Sequence, residues 1–297
     1  MTDPRASLVI GVVLAAGAAV QQPSPLSPLT FRTRTDAVAI DVAVMADRRP
    51  VQGLTRDEFE LRDNGVVQHI DLAADVLPLD VTFTLDLSGS VSAEQLADLR
   101  RAIGRVTSTL APLDRTRLLT FTQRIVERRP LGAVSNDVDL SPAGPRYPRE
   151  SAVLDAAAMT LLTAPDPNRR RLGILLTDTD DNASVIDAAS VLEIARRSDV
   201  RLDIIAVPPG SGELVNASPA WRAQQALTAA TGGSIRILRK GEDVGSAFLQ
   251  ALEAFRACYV LRYRPTGVAP DGWHDVTIQV RREGRFQISA RKGYFGS

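Results

Sequence analysis

The stretch Val81-Thr-Phe-Thr-Leu-Asp86-Leu-Ser88-Gly-Ser90 decides how the rest of the chain is read. Val81, Phe83 and Leu85 belong to an apolar run of strand length, which stops at a carboxylate followed by two hydroxyls at alternate positions. Asp86, Ser88 and Ser90 therefore fall on the turn beyond the carboxyl end of a buried strand, where open α/β sheets place their ligands. Three hard oxygen donors, with no histidine or thiol among them, suit Mg²⁺ or Ca²⁺ better than zinc or copper.

Downstream of that strand the pattern alternates between helix and strand. Leu96, Leu99, Ile103, Val106 and Leu110 recur at helical spacing behind Ser92, a suitable cap. Residues 117–122 and 125–126 read as strands separated by only Gln123-Arg124, so they form a hairpin rather than a crossover. Further helices are expected over 151–162, 186–197, 219–230 and 244–255, and further strands over 172–177, 200–207 and 234–238. Apolar strands alternating with helices imply a doubly wound, mainly parallel, Rossmann-like α/β sheet covered on both faces.

Both flanks read as β structure. Val38, Ile40, Val42 and Val44 share one face of an alternating segment, Thr55-Arg-Asp-Glu58 has the spacing of a capping box, and Asp63-Asn64-Gly65 signals a tight hairpin turn with 66–70 as its return strand. In the tail, 259–263 and 276–280 alternate, and 286–288 is expected to pair with the latter across Glu283-Gly284. The economical arrangement is a small β-sandwich-like module built from both chain ends, with the α/β domain inserted in it; two separate β appendages are the alternative. The expected organisation is a signal peptide over 1–22, flanking module over 30–77 and 258–297, and the α/β domain over 78–257.

With 297 residues, 44% of them hydrophobic and 24% charged, the chain can bury a sizeable core. Thirty-five basic residues balance 35 acidic ones, so no global field attracts nucleic acid or an anionic membrane, and a partner must be recognised locally. Arg5, the apolar run 6–20, the small residues Ala16-Gly17-Ala18 and the polar Gln21-Gln22-Pro23 that follows have the form of a secretory signal peptide. The run is short for a membrane span, so no stable span is expected after its removal, and the address is the periplasm, the cell envelope or the medium. An uncleaved anchor or a buried helix is the other reading. Cys258, the one cysteine, cannot form an intramolecular disulfide and reads as a small buried residue.

A second strand end repeats the chemistry of the first. Leu175-Leu176-Thr177-Asp178 closes an apolar strand with a carboxylate, and neighbouring parallel strands finish on the same edge, so Asp178 is expected to approach Asp86. Two carboxylates brought together repel until one takes a proton, a cost that a divalent cation removes. Ser151 offers another hydroxyl at the start of a helix, where a plain helix cap is the competing reading.

At these residues the chain resembles a von Willebrand factor A domain with a metal-ion-dependent adhesion site. The family's Asp-x-Ser-x-Ser element matches Asp86, Ser88 and Ser90; its second loop is similar to Glu150-Ser151-Ala152-Val153-Leu154-Asp155-Ala156; its Thr-Asp-Gly-x-Asp-Asn loop resembles residues 177–182. The resemblance covers about residues 78–257. It implies that Ser88 and Ser90 bind the ion directly, that Asp86 and Asp178 supply charge, and that Ser151 is a switchable ligand. The implied cofactor is Mg²⁺, with Ca²⁺ or Mn²⁺ also admissible, and the implied partner is a protein offering an Asp or Glu carboxylate. Asp155, Asp180 and Asp181 are expected to support the loops or face solvent rather than bind the ion. Two departures stand out: Ser151 replaces the usual threonine, and Thr179 the usual glycine, which removes a cheap route to positive φ. In related domains the last helix slides on ligand engagement, which here would involve residues 244–255. The flanks, including Gly53-Leu-Thr-Arg-Asp-Glu-Phe59 and Ala290-Arg-Lys-Gly-Tyr294, resemble a bacterial group of exported proteins related to that family.

The function this implies is a non-catalytic, exported protein-binding or adhesion module. Alternatives are a metal-dependent hydrolase using the same carboxylates, and a structural envelope protein with a vestigial site. Against the hydrolase, His69 and His274 both lie in the β flanks, and the sequence has neither a Gly-x-Ser-x-Gly elbow nor a P-loop.

Overall fold

The computed structural model describes residues 37–296, apart from 48, 73–76, 90, 91, 142–148, 165, 167, 179, 208–217 and 240. The expected signal peptide lies outside the described residues. The strands are β1 (Val38–Ala46), β2 (Arg49–Pro50), β3 (Phe59–Asp63), β4 (Val66–Val67), β5 (Ile70–Leu72), β6 (Leu79–Asp86), β7 (Arg115–Phe121), β8 (Ile125–Ala133), β9 (Arg170–Thr177), β10 (Val200–Ala206), β11 (Ile235–Ile237), β12 (Tyr259–Tyr263), β13 (Gly272–Val280), β14 (Gln287–Ser289) and β15 (Gly293–Gly296). The helices are α1 (Ala93–Thr107), α2 (Val153–Leu161), α3 (Ala188–Arg197), α4 (Pro219–Thr231) and α5 (Val244–Arg256).

Val81, Phe83 and Leu85 are wholly buried because β6 sits inside a six-stranded sheet ordered β11-β10-β9-β6-β7-β8. Every pairing in it is parallel except β7 with β8, the hairpin that the short Gln123-Arg124 connection demands. Period-two alternation sends side chains to two cores. Val81, Phe83, Leu85, Ile174 and Ile205 meet α1 and α5 through Ile103, Phe248 and Phe255. Leu175, Leu202 and Ile204 meet α2, α3 and α4 on the other face through Ala157, Val191 and Leu227. The sheet is thus mixed, mainly parallel and covered on both sides, as the strand and helix alternation requires.

Two contacts set how this sheet holds the site. At Gly173 in β9 a Cβ would lie 2.5 Å from Thr160 Cγ2, so the bare glycine lets α2 press onto the sheet, where Thr160 Oγ1 hydrogen-bonds Thr84 Oγ1 at 2.7 Å. At the amino end of β6, buried Asp80 accepts from Arg115 Nε at 2.8 Å and Nη2 at 2.7 Å and from Arg169 Nε at 2.6 Å. Burial opposes ionisation of this carboxyl, but the hydrogen bonds from Arg115 and Arg169 outweigh it and hold Asp80 below the usual carboxylate range.

The flanks form two antiparallel sheets, one ordered β14-β1-β12-β5 with β2 on β1, the other β15-β13-β3-β4. Each mixes strands from the two chain ends: β1 pairs with β12 and β14, β5 with β12, and β3 with β13. Ile40, Val42, Leu61, Leu261 and Val276 share one apolar cluster. Asp63 lies beside it, fully buried, and accepts from Tyr263 at 2.9 Å, Tyr294 at 2.7 Å and His274 Nδ1 at 2.7 Å. Asn64 (φ 45°) and Gly65 (φ 82°) make the expected tight turn, and Glu58 accepts from the Thr55 N–H at 2.8 Å as the capping spacing requires.

The tail corrects one expectation. β14 does not pair with β13; it pairs with β1, through Ala43↔Ser289, Val44↔Ile288 and Met45↔Gln287. β13 is bordered by β3 and β15 instead. Alternation identifies a strand but not its partner: β3 brings Phe59 and Leu61 to the shared cluster beside β13, while Ile288 of β14 reaches the same cluster from beside β1. Helix starts also differ: α2 begins at Val153 and α3 at Ala188, the latter capped by Asp187.

Replacing Asp80 with alanine leaves Arg115 and Arg169 facing each other without their shared anion. Unfolding free energy in urea is expected to fall by about 3 kcal/mol, and a loss below about 0.5 kcal/mol would show that this cluster does not anchor β6.

Candidate functional site

Parallel register between β6 and β9 pairs Leu85 with Leu176 and thereby brings Asp86 alongside Thr177. The chain then turns sharply: Asp86 Oδ1 accepts from the Ser88 N–H at 2.9 Å, and Gly89 follows at φ 77°. The other carboxylate oxygen, Oδ2, accepts from Ser151 Oγ at 2.8 Å and from Thr177 Oγ1 at 3.1 Å. Asp86, Ser151 and Thr177 therefore meet in one hydrogen-bonded group, with Ser88 held next to it through the backbone.

Ser151 is buried and is not the cap of α2. Ala152 occupies that position without a side-chain bond, so the Ser151 hydroxyl is available to Asp86. The orphan amides at the start of α2 are met from the loop after β9: Val153 N–H donates to Asp181 Oδ1 at 3.0 Å, and Leu154 and Asp155 N–H donate to Ser184 Oγ at 3.0 and 3.1 Å. Asn182 Oδ1 accepts from the Ser151 N–H at 2.8 Å, and Asp155 returns the connection by accepting from Ile186 N–H at 2.9 Å. Asp155 and Asp181 thus clamp two loops together, the supporting role expected of them.

Asp178 follows directly, with Oδ1 accepting from the Asp180 N–H at 3.1 Å. Burial and then the negative charge of Asp86 push its carboxyl above the usual range. Ser90 and Thr179 lie outside the described residues. Thr177 had no role assigned from sequence; its signal was its place directly before Asp178 at a strand end, one residue beyond the partner of Leu85.

The group borders a cleft of about 270 Å³ whose polar lining includes Asp86, Ser88, Thr177, Asp178 and, from α1, Asp98. Among the described residues, none lining it is basic. The side chains that bond Asp86 are the Ser151 and Thr177 hydroxyls, and together with the Asp86 and Asp178 carboxylates they make an all-oxygen set of the kind a hard divalent cation takes. Among the described residues no three His, Cys, Asp or Glu side chains gather in a metal-holding group. Here the oxygen donors are divided between two carboxylates and hydroxyls, so a carboxylate-rich cage is not what the position offers.

Comparison with solved structures returns proteins of several names, a von Willebrand factor type A protein among them. The chain is similar to an aerotolerance-related membrane protein from Bacteroides fragilis, at 14% identity over 60% of this chain and 98% of that one, with a TM-score of 0.43. It is similar to a von Willebrand factor type A protein from Catenulispora acidiphila at 16% identity, over 67% of this chain and 50% of that one, TM-score 0.47. A third likeness is to proximal thread matrix protein 1 from the mussel byssus with a zinc-occupied MIDAS motif, at 16% identity, over 66% of this chain and 50% of that one, TM-score 0.45. No protein-family model matches the chain, and no curated protein matches it. Likeness at this level adds nothing to the site, whose description stands on the distances above.

A carboxyl raised in the folded state favours folding below the ordinary carboxylate pKa and loses that contribution as pH rises through the raised value. In metal-free buffer the melting temperature of the wild type is therefore expected to fall relative to Asp178→Asn between pH 4 and pH 7. Superimposable pH profiles for the two proteins would contradict a raised carboxyl at Asp178.

Proposed function

We propose that the chain is an exported, non-catalytic protein-binding module that grips a carboxylate of its partner through a divalent cation at the carboxyl ends of β6 and β9. The observation that carries this reading is the convergence of the Ser151 and Thr177 hydroxyls on the Asp86 carboxylate, in a cleft that Asp178 also lines and that no described basic residue lines. Asp86, Ser88, Ser90, Ser151 and Asp178 would hold the cation, Mg²⁺ first, with Ca²⁺ or Mn²⁺ as substitutes. A bound divalent ion would offset the repulsion between the two carboxylates and leave a coordination position for an Asp or Glu from the partner.

The chain's own residues do the positioning. Asp86 is oriented by the Ser88 N–H, while Asn182, Asp181 and Asp155 hold the loop that carries Asp178 against the loop that carries Ser151. The two antiparallel sheets are read as one sandwich-like module over 30–77 and 258–297, flanking an α/β domain over 78–257; their shared apolar cluster supports this. Residues 1–22 act as a signal peptide and direct the protein to the periplasm, cell envelope or medium. No described helix is long and apolar enough to cross a membrane. A hydrolase reading would have to rest on the cleft carboxylates themselves. The two histidines lie elsewhere: His69 is exposed beside β5, and His274 is buried on β13 against Asp63.

Mg²⁺ at one hundred times its dissociation constant is expected to stabilise the wild type by about 2.7 kcal/mol, read as a rise in melting temperature. Asp86→Ala is expected to remain folded and lose that rise together with Mg²⁺-dependent partner binding. A wild type indifferent to Mg²⁺ would reject the reading in favour of a vestigial site.

A further inference from the structure

The cleft is not polar throughout. Away from Asp86 and Asp178 its wall is Leu99 of α1, Leu176 of β9, Val244 of α5 and Val207 just beyond β10, four aliphatic side chains from three elements and the start of a loop. Val207 is 43% exposed, so apolar surface is offered to solvent directly beside the carboxylates. Asp98, the third acid of the lining, is ion-paired with Arg101 one helical turn away, which leaves Asp86 and Asp178 as the charges a ligand must answer. About 270 Å³ is room for one side chain and not for a folded surface.

We infer that the cleft takes an aliphatic carboxylate: the partner's acidic group at the cation, and an aliphatic chain carried beside it lying against Val207, Leu99 and Val244. This rests on the cation-bridged reading given above and adds to it the chemistry next to the acid. A bare carboxylate would leave the aliphatic wall wet. An uncharged aliphatic chain would gain nothing from the oxygen donors. Only a ligand with both parts answers both halves of the cleft, and a divalent ion at Asp86 and Asp178 offsets their two negative charges and leaves an open coordination position that accepts an anionic oxygen. The selectivity of such a site therefore lies in the aliphatic neighbour of the acid, while the ion supplies anchorage common to every carboxylate.

The experiment titrates the purified chain with acetate, butyrate and hexanoate, with and without Mg²⁺, by chemical-shift perturbation. Each methylene buried at the wall is worth up to about fourfold in affinity, so hexanoate is expected to bind at least about tenfold more tightly than acetate, and only with Mg²⁺ present. Val207→Asn is expected to reduce the preference to about threefold or less. Equal affinity for acetate and hexanoate, or an unchanged preference in Val207→Asn, overturns the inference. So does hexylamine binding to the metal-free protein in place of the carboxylates, since that would make the cleft a site for aliphatic cations. The Mg²⁺-dependent rise in melting temperature is read in the same samples. Its presence without a chain-length preference removes this inference alone, and its absence removes the cation-bridged reading as well.

Discussion

The register of β6 against β9 is the constraint on which the site depends. Parallel pairing of Leu85 with Leu176 makes the two strands end together, so that a carboxylate on one meets a hydroxyl and then a carboxylate on the other. The sheet order places this pair where the winding reverses, since β7 lies on one side of β6 and β9 on the other. A slip of one residue would turn Asp86 away and reverse the faces of β6, moving Phe83 out of the core it shares with Phe248. The apolar cores therefore enforce an arrangement that electrostatics alone opposes. The opposite end of β6 is secured differently, by Asp80 and its arginines, so the carboxylate at the foot of the strand meets guanidinium groups, while the described partners of Asp86 at its tip are two hydroxyls and a backbone N–H.

The site is also joined to the flanks. Val244 at the start of α5 lines the cleft, and the other end of α5 passes into β12 with only Ala257 and Cys258 between them. β12 is inside an antiparallel sheet, paired with β1 and β5. Arg170, at the start of β9, donates to Asp41 of β1 at 2.6 Å and to the Phe255 carbonyl at 2.6 Å, and its guanidinium lies 4.2 Å from the Phe255 ring centroid. A sliding last helix, the motion that the family resemblance implies, would here have to disturb these contacts or the register of β12. The flanking sheets and the cleft are mechanically connected through one helix.

How much of this was legible in the sequence follows from the range of each interaction. The order of elements in the α/β part could be read because its strands are apolar runs and its helices carry a 3.6-residue period, both local signals. Asp86 and Asp178 could be expected on one edge because neighbouring parallel strands end together, whereas Ser151 was tied to them only by likeness to the family's second loop. The partner of β14 could not be read, since pairing with β1 joins residues more than two hundred positions apart and alternation is the same for every partner. The buried His274–Asp63–Tyr263–Tyr294 group was hidden for the same reason: its members come from four strands of both chain ends. Ser151 looked like a helix cap because caps are local. Its actual bond, to Asp86, and the capping of α2 by Asp181 and Ser184 depend on a loop meeting from elsewhere.

The proposal at the centre is that Asp86, Ser88, Ser90, Ser151 and Asp178 surround a cation. The most direct measurement is anomalous diffraction from crystals grown with Mn²⁺. The account predicts one strong anomalous peak within coordination distance of the Asp86 carboxylate and the Ser88 and Ser151 hydroxyls, with Asp178 facing it. An absent peak at that position under saturating Mn²⁺, or a peak held by other residues, would contradict it.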